Sequence, residues 1–418
     1  MGPNLVVRGA SVVTAAGVQA ADVVVRGGKI AAIEAPGTAD ATAMTTIEGD
    51  GLLLLPGMVD AHVHFQEPGR EAWEGFATGS AAAAAGGVTT VVDMPIDCDP
   101  PTVTAAAVEA KVAALQRHSR VDVALWGGLI PASVTELDAM AAAGVAGFKA
   151  FACPSGWDEF PASDEATLAL GLAAGARLGL PVAVHCELSE LGHSVESEVA
   201  AVRLAARLAT AARAHLHVVH TSAAEAVDEA RAWPGVSVET CPHYLFLDAA
   251  AALEAGAAAH CHPPIRGGDN AAQLWERLRL GMIDTVASDH SPCPPALKEG
   301  PAPWAGVDGV GLTLPLLLSD GRLPLTEVVR LTTDAARLLR LGRKGRLAPG
   351  FDADLVLVDR DRPWVVGPQT SWTRHPQSPF AGRTLPARVV RTLVRGRTVF
   401  TAEHGPEAEG YGRYIHPS

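Results

Sequence analysis

Positive charge is in short supply. The chain of 418 residues carries 33 lysines and arginines against 46 acidic residues, a formal net charge of −13. That excludes a general nucleic-acid binder, which needs a concentrated basic surface. Long apolar runs are absent as well. Nothing approaches the ~18 residues of a membrane span, and "SAAAAAGG" is short and built of alanine, a weak membrane residue. The opening "MGPNLVVRGASVV" reads as a strand rather than a charged-then-apolar leader, so a soluble cytoplasmic protein is expected. The six cysteines (Cys98, Cys153, Cys186, Cys241, Cys261 and Cys293) include no CxxC pair. A disulfide framework or zinc knot is therefore not expected, and buried reduced thiols are. Aromatics are only 5%, with alanine and glycine abundant, so the core must be built from small and aliphatic side chains.

What is present is a β-rich end at each side of a long β/α middle. "LVVRGASVVT", "ADVVVRGGKIAAIE" and "GLLLL" are short strand-like runs split by glycine. "KGRLAPGFDADLVLVD" and "RVVRTLVRGRTVF" return to that style after Arg343. Residues 1–55 and 343–418 are therefore expected to meet in one small β-sandwich, since the termini of a domain often lie close together. Between them stand eight apolar runs: "GMVDAHVHF", "VTTVVDMP", "VDVALWGG", "VAGFKAF", "PVAVHCE", "HLHVVHTS", "VSVETCPHY" and "DTVASDHSP". Alanine-rich segments of helical spacing separate them, including 102–118 and 194–213. Eight β/α units in residues 56–342 predict an α/β fold of the (β/α)8 TIM-barrel type, with its chemistry at the C-terminal ends of the strands.

Those ends are where the reactive residues fall. The first run ends in His62 and His64, the fourth in Lys149, the fifth in His185, the sixth in His220 and the eighth in Asp289. Alternation along a strand points His62 and His64 the same way. Each histidine alone has an ordinary structural explanation, but six such residues in barrel order read as a metal site. Imidazole nitrogen and carboxylate oxygen suit zinc, and also manganese, cobalt, nickel or iron. A lysine among dications makes sense if its amine has taken up carbon dioxide, because the carbamate is anionic and has two oxygens with which to bridge two metals.

The motifs "DAHVHF", "GFKAF", "VHCE", "VVHTS" and "SDHSP", flanked by β-rich ends, resemble the cyclic amidohydrolases of the metal-dependent amidohydrolase superfamily. That group includes dihydroorotases, hydantoinases and allantoinases, and the resemblance spans essentially the whole chain. "EPGREAWEGFATGSAAAAAGGVTTVVDMP", "CPSGWDEFP" and "SDHSPCPP" look most like the allantoinase branch. The resemblance implies two divalent ions, zinc by preference. His62, His64 and Asp289 would hold one and His185 and His220 the other, with Lys149 as a bridging N6-carboxylysine. It implies hydrolysis of a cyclic amide, allantoin to allantoate, by a metal-activated hydroxide with Asp289 as general acid and base. It also implies a homodimer or homotetramer. The alternatives are a dihydroorotase, a hydantoinase or dihydropyrimidinase, and an inactive scaffold partner; the last typically loses metal ligands, and this chain keeps all six.

Substrate contacts are expected from Gln66, Asp97, Ser155, His243, His290 and Pro263. His243, after the seventh run, reads as a supporting residue rather than a ligand, and His217 as structural. Asp97 stands where allantoinases usually carry asparagine, Gln66 where dihydroorotases usually carry arginine, and Gly311 where they commonly carry glutamate. Only 35 positions separate His185 from His220, a shorter segment than the family usually has. Gln66 cannot grip a substrate carboxylate as a guanidinium does, which points to a neutral ring.

Overall fold

The computed structural model describes residues 2–40, 42 and 44–418. All eight predicted runs are strands, hydrogen-bonded side by side in chain order in one parallel sheet. We number them β1 (Met58–Val63), β2 (Val88–Asp93), β3 (Asp122–Gly128), β4 (Gly147–Phe151), β5 (Val182–His185), β6 (Leu216–Val218), β7 (Val236–Thr240) and β8 (Thr285–Val286). Their residues are almost all buried, as expected where helices cover the outside of a parallel sheet and side chains fill its inside. The ring closes past the end of β8: His64 N–H donates to the His290 carbonyl at 2.7 Å, and Val63 bridges to His290 in parallel. This is the TIM barrel expected.

The two predicted helices form with standard caps. Ala105–His118 starts at Thr104, whose hydroxyl accepts from Ala107 N–H. Val195–Ala212 starts at Ser194, which accepts from Ser197 N–H. Among the described residues, no helix is long and apolar enough to cross a membrane.

The chain ends meet as expected, in hydrogen bonds that follow one continuous path of antiparallel and parallel pairs. The junction is Leu355–Asp359 paired antiparallel with Leu53–Pro56. Period-two alternation sorts this sheet's side chains between two cores. Leu54, Leu355 and Leu357 pack with Val7, Val12, Val23 and Val25, while Leu53, Leu55, Val356 and Val358 pack against the barrel. Pro56 ends the last N-terminal strand of the sheet, and Met58 opens β1. Gly57 between them has no room for a side chain, since a Cβ there would meet the Thr89 hydroxyl at 2.0 Å. The final residues leave the sheet and return to the barrel. Tyr414 bridges to Val123 of β3, and Ile415 N–H donates to the Val123 carbonyl at 2.8 Å.

A buried ionic knot ties the same region together. Lys344 Nζ lies 2.5 Å from Asp122, 3.0 Å from Asp352 and 2.8 Å from Asp354, and Arg395 also pairs with Asp122.

Candidate metal centre

The barrel gathers all six predicted ligands at one end. His62 is the next-to-last residue of β1 and His64 lies just beyond its end, and their rings are 5.4 Å apart. Asp289 Oδ1 approaches both, at 3.2 Å from His62 Nε2 and 3.4 Å from His64 Nε2. His185 Nδ1 and His220 Nε2 face each other at 3.1 Å. With the His185 Nε2 proton held by Glu187, Nδ1 is left as a lone pair available to a cation. His62 and His220 bring the two groups together, with ring centroids 5.2 Å apart. Lys149 Nζ is buried and has no hydrogen-bond partner. Burial drives its amine down to about 8, although Asp289 and Glu239 work in the other direction. An unpartnered amine of low basicity fits carbamate formation, because only the free base attacks carbon dioxide.

The electrostatics suit a cation. Burial first, then neighbouring positive groups, hold His62 and His220 well below the usual imidazole range, so their lone pairs are free at neutral pH. His64 behaves oppositely. Burial opposes its protonation, but the carboxylates of Asp289 and Asp97 outweigh burial and raise it to about 9. Two carboxylates on one imidazole call for positive charge at that point, which a metal ion would supply in place of the proton.

Three carboxylates hold the imidazoles from behind. Glu239 Oε1 lies 2.9 Å from His62 Nδ1, and its Oε2 lies 3.3 Å from His217 Nε2. Glu187 Oε2 lies 2.8 Å from His185 Nε2. Asp97 Oδ2 lies 2.7 Å from His64 Nδ1, while Oδ1 accepts from Trp157 Nε1 at 2.6 Å. Such partners fix which nitrogen carries the proton and which faces the metal. Asp60 adds a backbone clamp by accepting from the N–H groups of His62 and Ser288. Asp93 does the same one strand over: it accepts from Phe65 N–H at 2.7 Å and is paired with buried Lys111 at 2.5 Å.

Backbone geometry marks the same residues. Among the described residues, seven non-glycine residues have positive φ, and four of them are Gln66 (60°), Asp97 (65°), His220 (37°) and Asp289 (50°). Sparsely populated conformations of this kind concentrate where structure positions chemistry.

The six predicted ligands line a cavity of about 350 Å³. Asp97 and Ser155 line it; the Ser155 hydroxyl donates to the Phe160 carbonyl at 2.6 Å. The other expected substrate contacts are not on its wall. Gln66 donates to the Pro292 carbonyl at 2.8 Å. The Pro263 carbonyl accepts from Tyr244. His290 is fully buried against Phe65, near Glu74 and Asp308. His243 sits buried behind Asp289, grouped with Cys241. His217 stacks on Trp126 inside the barrel. Sequence reading missed Glu187, Glu239, Asp60 and Trp157. The available signal was a carboxylate inside an otherwise apolar strand end, as in "VHCE" and "VSVET".

Imidazoles, a carboxylate and an unpaired lysine converging at the C-terminal mouth of a β/α barrel define a divalent-metal hydrolase. Comparison with known proteins agrees. The amidohydrolase family model matches residues 53–399. The chain is 43% identical to a protein named allantoinase from Solibacter usitatus, over 99% of this chain and 96% of that one. It is 41% identical to another of that name from Rubrobacter xylanophilus, over 99% and 98%. Among solved structures it resembles the L-hydantoinase (dihydropyrimidinase) of Arthrobacter aurescens, with TM-score 0.92 and 29% identity over the whole of both chains. The chain belongs to the amidohydrolase family.

Proposed function

We propose that the chain hydrolyses a cyclic amide, opening the ring of allantoin to give allantoate. The observation that carries this is the identity of 43% across almost the whole chain to a protein named allantoinase. In this reading residues 56–342 form the catalytic barrel, and residues 1–55 with 343–418 form the attached β unit.

His62, His64 and Asp289 would hold one divalent ion and His185 and His220 a second, with carbamylated Lys149 between them; zinc is the metal proposed. Bound there, the ions would acidify a water and polarise the amide carbonyl. Asp289 accepts the proton of the attacking water and returns it to the departing ring nitrogen, an otherwise poor leaving group. Glu239 and Glu187 keep His62 and His185 turned the right way. The cavity wall carries Asp97, Glu187 and Asp289 but, among the described residues, no arginine. A substrate carboxylate would therefore meet like charge, whereas the N–H groups of a ureido ring would meet acceptors.

A hydantoinase or dihydropyrimidinase is the second reading, supported by the structural likeness at TM-score 0.92. Its 29% identity is well below that of the allantoinase-named relatives. A homodimer or homotetramer in the cytoplasm belongs to the same proposal; light scattering on purified protein tests the assembly.

The test of substrate is turnover of allantoin, hydantoin, dihydrouracil and dihydroorotate by protein loaded with zinc, manganese or cobalt. A missing charged contact costs ~2–5 kcal/mol. Allantoin is therefore expected to exceed dihydroorotate at least ~10-fold in kcat/KM, a bound set below that range. Turnover of dihydroorotate with none of allantoin would overturn the assignment.

A further inference from the structure

A third set of donors stands at the mouth of the cavity, apart from the six ligands. Glu187, His193 and His262 each offer one donor atom, and these atoms all lie within 4.8 Å of one another. All three residues line the cavity. Glu187 follows β5, His193 sits on the turn before the helix Val195–Ala212, and His262 comes from the loop after β7.

The group is assembled before any ligand arrives. His193 Nδ1 is 3.0 Å from Glu187 Oε1. The His193 and His262 rings stack with centroids 4.0 Å apart and planes 17° apart. Arg266 ties the two loops together: one guanidinium nitrogen donates to the His193 carbonyl at 2.6 Å, and another reaches Glu198 at 3.0 Å. Loop packing would account for the stack and the Glu187 contact. It does not account for His262 Nδ1, which is buried and has no partner. Two imidazoles and one carboxylate are the donor set of zinc sites that keep a position open. The side chain of His193 is 53% exposed, so it has freedom to close around an ion.

We propose that Glu187, His193 and His262 form a third site for a divalent ion of the zinc type, and that filling it inhibits the enzyme. Inhibition follows from what Glu187 does with its other oxygen. Oε2 holds His185 Nε2 at 2.8 Å. An ion that draws on this carboxylate loosens the support of His185, and it also narrows the way into the cavity. Only the inhibitory part rests on the proposed hydrolysis; the ion site does not.

The experiment compares holoenzyme with His193→Ala and, separately, His262→Asn, each equilibrated over a range of buffered free zinc. Bound metal is counted by elemental analysis and turnover is measured in the same samples. At high zinc each variant is expected to hold one ion per chain fewer than the wild type, whatever the wild-type total. Wild-type turnover is expected to rise and then fall with zinc, and the variants to keep the rise and lose the fall. Equal metal content in all three proteins across the range overturns the site. A difference of one ion with an unchanged fall in turnover overturns the inhibitory role. A wild-type total too low for two ions in the main centre counts against the binuclear reading instead.

Discussion

Replacing Glu239 by glutamine isolates the part that a buried charge plays in holding metal. Glu239 is fully buried; one oxygen faces His62 Nδ1 at 2.9 Å and the other faces His217 Nε2 at 3.3 Å. A glutamine can keep both contacts. Its carbonyl accepts from His62 Nδ1–H, and its amide donates to His217 Nε2 once the His217 proton moves to Nδ1, where Ser237 Oγ waits at 2.8 Å. Shape and hydrogen bonding survive, and only the negative charge is lost. Removing support of this kind lowers metal affinity ~10- to 100-fold, or about 1.4–2.7 kcal/mol. Alanine would instead leave two buried imidazoles short of partners, each costing ~1–3 kcal/mol. Chelator-buffered zinc titration should therefore show weaker binding in both variants, while thermal melting of the metal-free proteins should show a large loss for Glu239→Ala alone. Wild-type zinc affinity in Glu239→Gln would refute the argument, as would a collapse of its metal-free stability.

Three further outcomes are expected. Asp289→Asn should keep much of its metal by elemental analysis yet lose ~10²- to 10⁴-fold in turnover, the usual range for a general acid or base. Lys149→Met should make the metal-free protein more stable than wild type at pH 7 in urea unfolding with carbon dioxide excluded. The buried amine sits at about 8 against 10.5 when free, so between those values the unfolded chain binds more protons and wild-type stability climbs with pH. The advantage of Lys149→Met should thus be constant below about 8 and shrink as pH rises towards 10.5; a pH-independent difference would contradict it. Lys344→Met should cost ~3–5 kcal/mol in urea unfolding, because it strands buried carboxylates that the lysine now pairs.

The sequence announces the barrel because its strands are apolar runs and five of the eight are closed by a polar, metal-binding type of residue, and both halves of that signal are local. The six proposed ligands are legible for the same reason. Glu239 is not. Its partner His62 is 177 residues away, and only the closing of the ring sets one against the other. Gln66 and His290 show the opposite failure. Alternation places side chains only while the strand lasts, and β1 stops at Val63. Two residues beyond His64 the backbone turns through φ 60° at Gln66 and sends the side chain to the Pro292 carbonyl. Asp97 is legible as a cavity residue, and it does line the cavity, but its support of His64 is not. Its two oxygens face His64 and Trp157, a role set by three separate loops.

The pairing of Leu53–Pro56 with Leu355–Asp359 bears on how the protein is made. Pro56 waits for Leu355, 299 residues later in the chain. At the ~5–20 residues per second of ribosomal synthesis, that interval is about 15–60 s. Throughout it, Leu53, Leu54 and Leu55 present an unpaired, wholly apolar strand edge, the kind that recruits another chain. Barrel strands β1 to β8 can pair in order as they emerge, but this edge cannot be covered until the last quarter of the chain arrives. Nascent chains stalled before Leu355 are therefore expected to depend on chaperones, and those released there to aggregate, although they already carry every proposed metal ligand.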